Sequence, residues 1–267
     1  MENILEPIYQ LGRWVHIFAG ALGLFLFWVP VALRKGSQWH KKTGRWFIWC
    51  SNTVAYTAIS IMSLRMYQVW ESGRDPSTLK QWPFIVMLFY LAIILLVAGW
   101  YARHTLLSKT DLARLRRPLT WALAGLTSVA STVVVFYAWR DSTGMAILLW
   151  SLSPLGFLNS WGMYKHLNRP QREPKSWIIE HLGTALGMGI AFHTAFFVLG
   201  MRSVTEAWLT GFWGVIPWIL PTLVGVPLIS WTEKRYRRRF MVANQERGST
   251  LFDSADPMEP QRDFVRS

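Results

Sequence analysis

Seven hydrophobic stretches divide this chain of 267 residues, and each is long enough to cross a membrane as a helix. Crossing the hydrocarbon core takes roughly 20 consecutive apolar residues. We therefore predict an all-α, polytopic membrane protein with seven transmembrane helices. The predicted spans lie near residues 12–33, 45–66, 82–102, 118–139, 143–164, 177–200 and 211–231.

Lys and Arg residues are concentrated in every second connection between these spans. Short loops with excess Lys and Arg stay in the cytoplasm. The pattern predicts an N-terminus outside and a C-terminus in the cytoplasm. Three basic connections (34–44, 103–117 and 165–176) hold 13 Lys and Arg, whereas the other three (67–81, 140–142 and 201–210) hold four.

The net charge of +13 follows from this distribution. Nucleic-acid-binding proteins place their cations in a patch or stripe beside groups that read the nucleic acid, whereas here the cations are spread over successive loops. Basic loops at a cytoplasmic face attract anionic lipid headgroups. We therefore predict the lipid bilayer, with anionic lipids at the cytoplasmic face, as the partner, and we predict no nucleic-acid binding.

Two regions differ in composition. Residues 1–240 form the predicted seven-helix transmembrane domain, and 241–267, which mix charges with Gly, Pro and Ser, form a predicted disordered cytoplasmic tail. Cys50 is the single cysteine, so a disulfide or a cysteine metal cage within one chain is excluded. Phosphate-binding glycine loops and nucleophile elbows are also missing from the sequence, so it predicts no particular reaction.

Histidines are the most informative polar residues in and near the spans. His16 and His193 lie at similar depth near the outer ends of spans 1 and 6, while His40 and His181 lie near the cytoplasmic starts of spans 2 and 6. Neutral imidazoles at matched depth can ligate a haem iron or another transition metal. His40 and His181 are therefore candidate metal ligands, and they are predicted to lie within one cofactor's width of each other.

Two haems stacked in one bundle are not favoured. His181 and His193 are 12 residues apart, which at about 100° per residue turns them about 120° from each other on the helix. His104 and His166 sit beside Arg103 and Lys165, where solvated surface histidines are expected.

Small and polar residues form three further patterns. On span 1, Gly20 and Gly23 share a helix face with His16, which would leave room for a flat cofactor. The four-residue spacing of small side chains on span 6 favours close helix packing, and Glu180 is expected to cap that helix. A polar stripe on span 2 would either bond to a neighbouring helix or line a pathway. These patterns comprise Gly183, Gly187, Ala191 and Ala195 on span 6 and Asn52, Tyr56, Ser60 and Ser63 on span 2.

Several runs together resemble a bacterial family of integral membrane proteins catalogued as domain of unknown function 2306. Its members open with a histidine one turn into span 1, followed by a basic Lys-Gly pair and a His-Lys/Arg-x-x-Gly-Arg run before span 2. The matching runs, which extend over spans 1 to 6, are WVHIFAG (14–20), RKG (34–36), HKKTGR (40–45), the helix 181–191 and TAF (194–196).

The resemblance implies a bacterial inner-membrane location and selects three histidines as cofactor-binding candidates: His16, His40 and His181. Gly44 and Arg45 would be structural companions. His193 is outside the matching runs, and residues 164–166 (YKH) replace an acidic residue that the family carries near the end of span 5.

Three functions are compatible with these observations. The first is a redox protein that uses a b-type haem or a quinone at His16, or at His40 and His181. The second is a transporter or channel for a small solute along the polar stripe of span 2. The third is a non-catalytic membrane partner or assembly factor, in which the loop charges serve topology alone.

Overall fold

The computed structural model describes residues 2–141, 143–169, 175–209 and 211–253, and within these residues the regular structure is entirely helical. The described α-helices are α1 (Glu2–Ala32), α2 (Gln38–Glu71), α3 (Trp82–Leu107), α4 (Pro118–Arg140), α5 (Ala146–Leu152), α6 (Pro154–Leu167), α7 (Ser176–Ala195), α8 (Arg202–Trp208) and α9 (Ile216–Asp253). A π-helical turn, Phe196–Gly200, extends α7.

Six helical segments among the described residues are long and apolar enough to cross a membrane, and they coincide with six of the seven predicted spans. These segments are Glu6–Ala32, Gln38–Glu71, Trp82–Leu107, Pro118–Arg140, Ser176–Gly200 and Trp213–Phe240. The fifth predicted span, 143–164, is not one continuous helix. It is divided into α5 and α6.

Pro154 explains the division, because proline has no backbone N–H to donate within a helix. Ser153 keeps helical backbone angles, so α6 follows α5 without a loop. The hydroxyl of Tyr90 on α3 occupies the break. The carbonyls of Leu152 (2.9 Å) and Ser153 (3.0 Å) share its one proton, and it accepts from the N–H of Gly156 (3.0 Å). A side chain inserted into the helical hydrogen-bond ladder is a recognised cause of kinks.

Helix α3 is the centre of the bundle. In its most apolar stretch of 18 residues 56% are buried, against 17% in that of α1 and 6% in that of the segment Trp213–Phe240. On one side it packs with α1, α2 and α7 around Phe47 and Met188. On the other it packs with α4 and α5 around Met87 and Val134. Near its end, Tyr101 joins a third cluster with α4 and α6.

Aromatic rings of α1 and α7 lie over glycines of the opposite helix. A Cβ at Gly189 would clash with the ring of Phe27, and a Cβ at Gly23 would clash with the ring of Phe192. The rings therefore use the space that the missing side chains leave. The flat slot expected over Gly23 is consequently filled by Phe192.

The last helix extends into the range 241–267, for which the sequence predicts a disordered tail. Helix α9 continues to Asp253, and residues 254–267 lie outside the described residues. Disorder of residues 254–267 therefore stays a prediction.

Candidate functional site

The candidate site lies where α1, α3 and α6 end and α2 and α7 begin, which we call the basic end. His40 is in the first turn of α2, where Ser37 caps the helix by accepting from the N–H of His40 (3.1 Å). Its Nδ1 donates to the carbonyl of Pro30 (3.0 Å) in the last turn of α1. With the proton on Nδ1, a neutral His40 carries its lone pair on Nε2.

Lys35 holds the same helix terminus. The last carbonyls of a helix have no partner within it, and the Lys35 ammonium donates to those of Pro30 and Val31, both at 2.8 Å. Partial burial lowers the pKa of Lys35. The Pro30 carbonyl thus accepts from both Lys35 and His40, which orients the His40 ring.

His181 approaches from α7. It hydrogen-bonds to the backbone carbonyl of Ala102 on α3, and its charge interacts with that of His40. Its Nδ1 is buried and has no hydrogen-bond partner among the described residues. His40 and His181 thus interact electrostatically, and each ring is hydrogen-bonded to a backbone carbonyl of a neighbouring helix.

Ionic and aromatic groups adjoin the histidine pair. Glu180 does not simply cap α7, because it pairs with Arg169 at 3.4 Å, and the two side chains are only 17% and 21% exposed. Tyr101, one residue before Ala102, hydrogen-bonds to Nδ1 of His166. His166 is 3% exposed, so the expectation of a solvated surface histidine is wrong at this position.

The remaining histidines do not join this site. His16 lies against α2, where its Nδ1 contacts the Val54 carbonyl (3.1 Å) and the Thr57 hydroxyl (3.0 Å). Both nitrogens of His193 are used, since Nδ1 donates to the Gly189 carbonyl (2.7 Å) and Nε2 accepts from Trp28 (3.2 Å).

The predicted outer pair of His16 and His193 is consequently not formed. His193 packs near Phe27, and eleven residues of α1 correspond to about 16 Å along its axis. His104 stacks on Trp100 with ring centroids 3.8 Å apart and bonds to the carbonyl of that residue (2.8 Å).

The polar stripe of span 2 does not line an internal path. Tyr56, Ser60 and Ser63 are exposed on the outside of the bundle, and only Asn52 turns inward, towards Gly99 of α3. The stripe therefore does not favour a transport pathway through the bundle.

Sequence reasoning missed the role of Arg169 and of Glu233, which lies against α7. The available signal was a single acidic residue directly before the basic run 234–239. That signal alone does not identify the residue that Glu233 contacts, because Glu233 and Gly183 of α7 are 50 positions apart in the sequence.

Comparison with family models, with curated proteins and with solved structures finds no match to this chain, so the resemblance to domain of unknown function 2306 stays a prediction.

Proposed function

We propose that this protein is a seven-span redox protein of a bacterial inner membrane, with its N-terminus outside and its basic end in the cytoplasm among anionic lipid headgroups. Six long helices supply six crossings. The kinked pair α5–α6 supplies the seventh, because 22 residues at about 1.5 Å each reach about 33 Å, enough for a hydrocarbon core of about 30 Å. Seven crossings also put all the Lys-rich and Arg-rich connections on one side.

The redox proposal is carried by one observation: Nδ1 of His181 is buried without a hydrogen-bond partner among the described residues, and His181 interacts electrostatically with His40, whose Nε2 carries a lone pair in the neutral ring. Buried polar atoms normally have partners, and neutral imidazole nitrogens are common ligands of iron. An iron centre would supply both nitrogens with a partner.

The number of donors favours haem over a bare metal ion. Among the described residues, no group of three or more His, Cys, Asp and Glu is arranged to hold a metal ion. Haem iron needs only two protein ligands, because the porphyrin supplies four nitrogens. A b-type haem bound here would supply one-electron chemistry, while the carbonyls of Pro30 and Ala102 orient the imidazoles and make them better ligands.

The test is a visible absorption spectrum of the purified full-length protein, oxidised and then reduced with dithionite, with iron analysis of the same sample. We expect a reduced b-type band that is lost in His40→Ala and in His181→Ala. His104→Ala is the matched control, because His104 stacks on Trp100, and it should keep the band.

Two results would contradict the proposal. A colourless, iron-free protein that remains folded would remove haem from the site. A band that survives in both His40→Ala and His181→Ala would place the ligands elsewhere, with His16 the next residue to replace.

A further inference from the structure

Glu233 is a half-buried carboxyl within a helical segment, Trp213–Phe240, that is apolar enough to cross a membrane. Its side chain lies against Gly183 of α7. A Cβ at residue 183 would stand 2.5 Å from Oε1 of Glu233 and 3.7 Å from its Cδ. The glycine thus forms a seat for the carboxyl group, and a larger residue at that position would displace it.

The charged groups around this seat come from three elements. Arg169, after α6, and Arg237, one turn further along α9, both interact electrostatically with Glu233. On α7, Glu180 lies one turn before Gly183 and pairs with Arg169 at 3.4 Å. Within the described part of the chain, by contrast, no hydrogen bond or ion pair of 4.0 Å or less joins Glu233 to a cation.

Two opposing effects act on this carboxyl group. Loss of water favours the neutral acid, because ionisable groups within membrane segments are costly to charge. The two guanidinium groups favour the carboxylate, but neither makes a direct contact with it. The carboxyl group is therefore partly withdrawn from water with two cations near it but no direct ion pair, an environment in which its protonation responds to small changes in packing.

We propose that Glu233, seated on Gly183, is a proton-binding site that exchanges its proton with water at the basic end. The proton leaves the carboxyl oxygen for bulk water and returns from it, so the step needs no other reactant. This site is separate from the histidine pair: on α7, Gly183 and His181 are two residues apart and point about 160° away from each other. The proposal does not require a haem.

The experiment is infrared spectroscopy of the full-length protein in lipid nanodiscs across a pH series, which detects the C=O stretch of a protonated carboxyl. Exposed glutamates ionise near pH 4.3, so we look for a band that persists more than about one pH unit above that value. We expect this band in the wild type, its loss in Glu233→Gln, and its retention in Glu71→Gln, where the replaced side chain is exposed.

Glycine variants test the seat itself. Gly183→Ala should displace the carboxyl group from Gly183 and alter the pH range over which the band persists. Gly187→Ala is the matched control on the same helix, one turn further on, because a Cβ there meets nothing within 4 Å, and it should leave the band unchanged.

Three results would overturn the proposal: a wild type without the persistent band, a band that survives in Glu233→Gln, or one that is unaltered in Gly183→Ala. None of these depends on a bound cofactor. The outcome is therefore independent of the spectrum that tests the redox proposal.

Discussion

Tyr90→Phe is expected to lower the free energy of unfolding by about 2–4 kcal/mol, although it removes a single oxygen atom. The hydroxyl of Tyr90 serves three backbone groups at the break between α5 and α6: the carbonyls of Leu152 and Ser153 and the N–H of Gly156. Tyr90 is 2% exposed, so water cannot replace the hydroxyl without repacking of the helices. Each buried backbone group left unpaired costs about 1–3 kcal/mol.

Reversible unfolding in detergent micelles measures this effect, and Tyr56→Phe is the matched control. Tyr56 is 59% exposed on the outside of the bundle, so loss of its hydroxyl should change stability by less than about 0.5 kcal/mol. Equal stabilities of the two variants would show that the break is satisfied without Tyr90. Loss of the Tyr90 hydroxyl should also leave the N–H of Gly156 without its acceptor. Faster amide hydrogen exchange at Gly156 is therefore a second readout.

The positions of the spans were predictable because hydropathy and length suffice for them. Six of the predicted spans correspond to long helices, whereas the fifth shows what hydropathy omits. Its apolar residues satisfy the length requirement, but Pro154 removes a donor and divides the helix. The compensating group, Tyr90, is more than 60 residues earlier in the chain, so no local pattern could reveal it.

Helix packing decided both the depth and the direction of the histidines, and hydropathy alone predicts neither fully. His40 and His181 lie near the starts of their predicted spans, and the two residues interact electrostatically. His166 follows Lys165 in the sequence but turns inward to Tyr101, because the contacts of α6 with α3 set its orientation. For His193 the predicted depth was wrong, because it bonds to Trp28 and packs against Phe27, about 16 Å along α1 from His16.

Long-range contacts set the chemistry of the basic end. The seat of Glu233 depends on the absence of a side chain at Gly183, and the sequence offers that glycine only as one of several small residues on α7. Gly187, at the next position of the same stripe, has open space around it. A regular spacing of small residues therefore indicates where helices can approach closely. The packing of α9 against α7 decides which of the glycines is contacted.

Gly189→Ala is expected to destabilise the bundle by about 1–3 kcal/mol, the usual cost of overpacking a core. The new Cβ would clash with the ring of Phe27, which is itself 8% exposed. That ring cannot retreat freely, since Phe47 and Trp28 lie against it with centroid separations of 5.7 and 5.2 Å. Either the ring leaves its seat or α1 moves away from α7.

Gly125→Ala is the control that separates crowding from helix propensity. Nothing lies within 4 Å of a Cβ at Gly125, so alanine there should be neutral or stabilising by up to about 1 kcal/mol, as in an exposed helix interior. If crowding by Phe27 is the cause, Phe27→Leu should recover part of the loss when combined with Gly189→Ala, although Phe27→Leu alone destabilises. Independent, additive effects of the two substitutions would instead mean that the ring and the glycine are not coupled, and the close approach of α1 to α7 would then depend on other contacts.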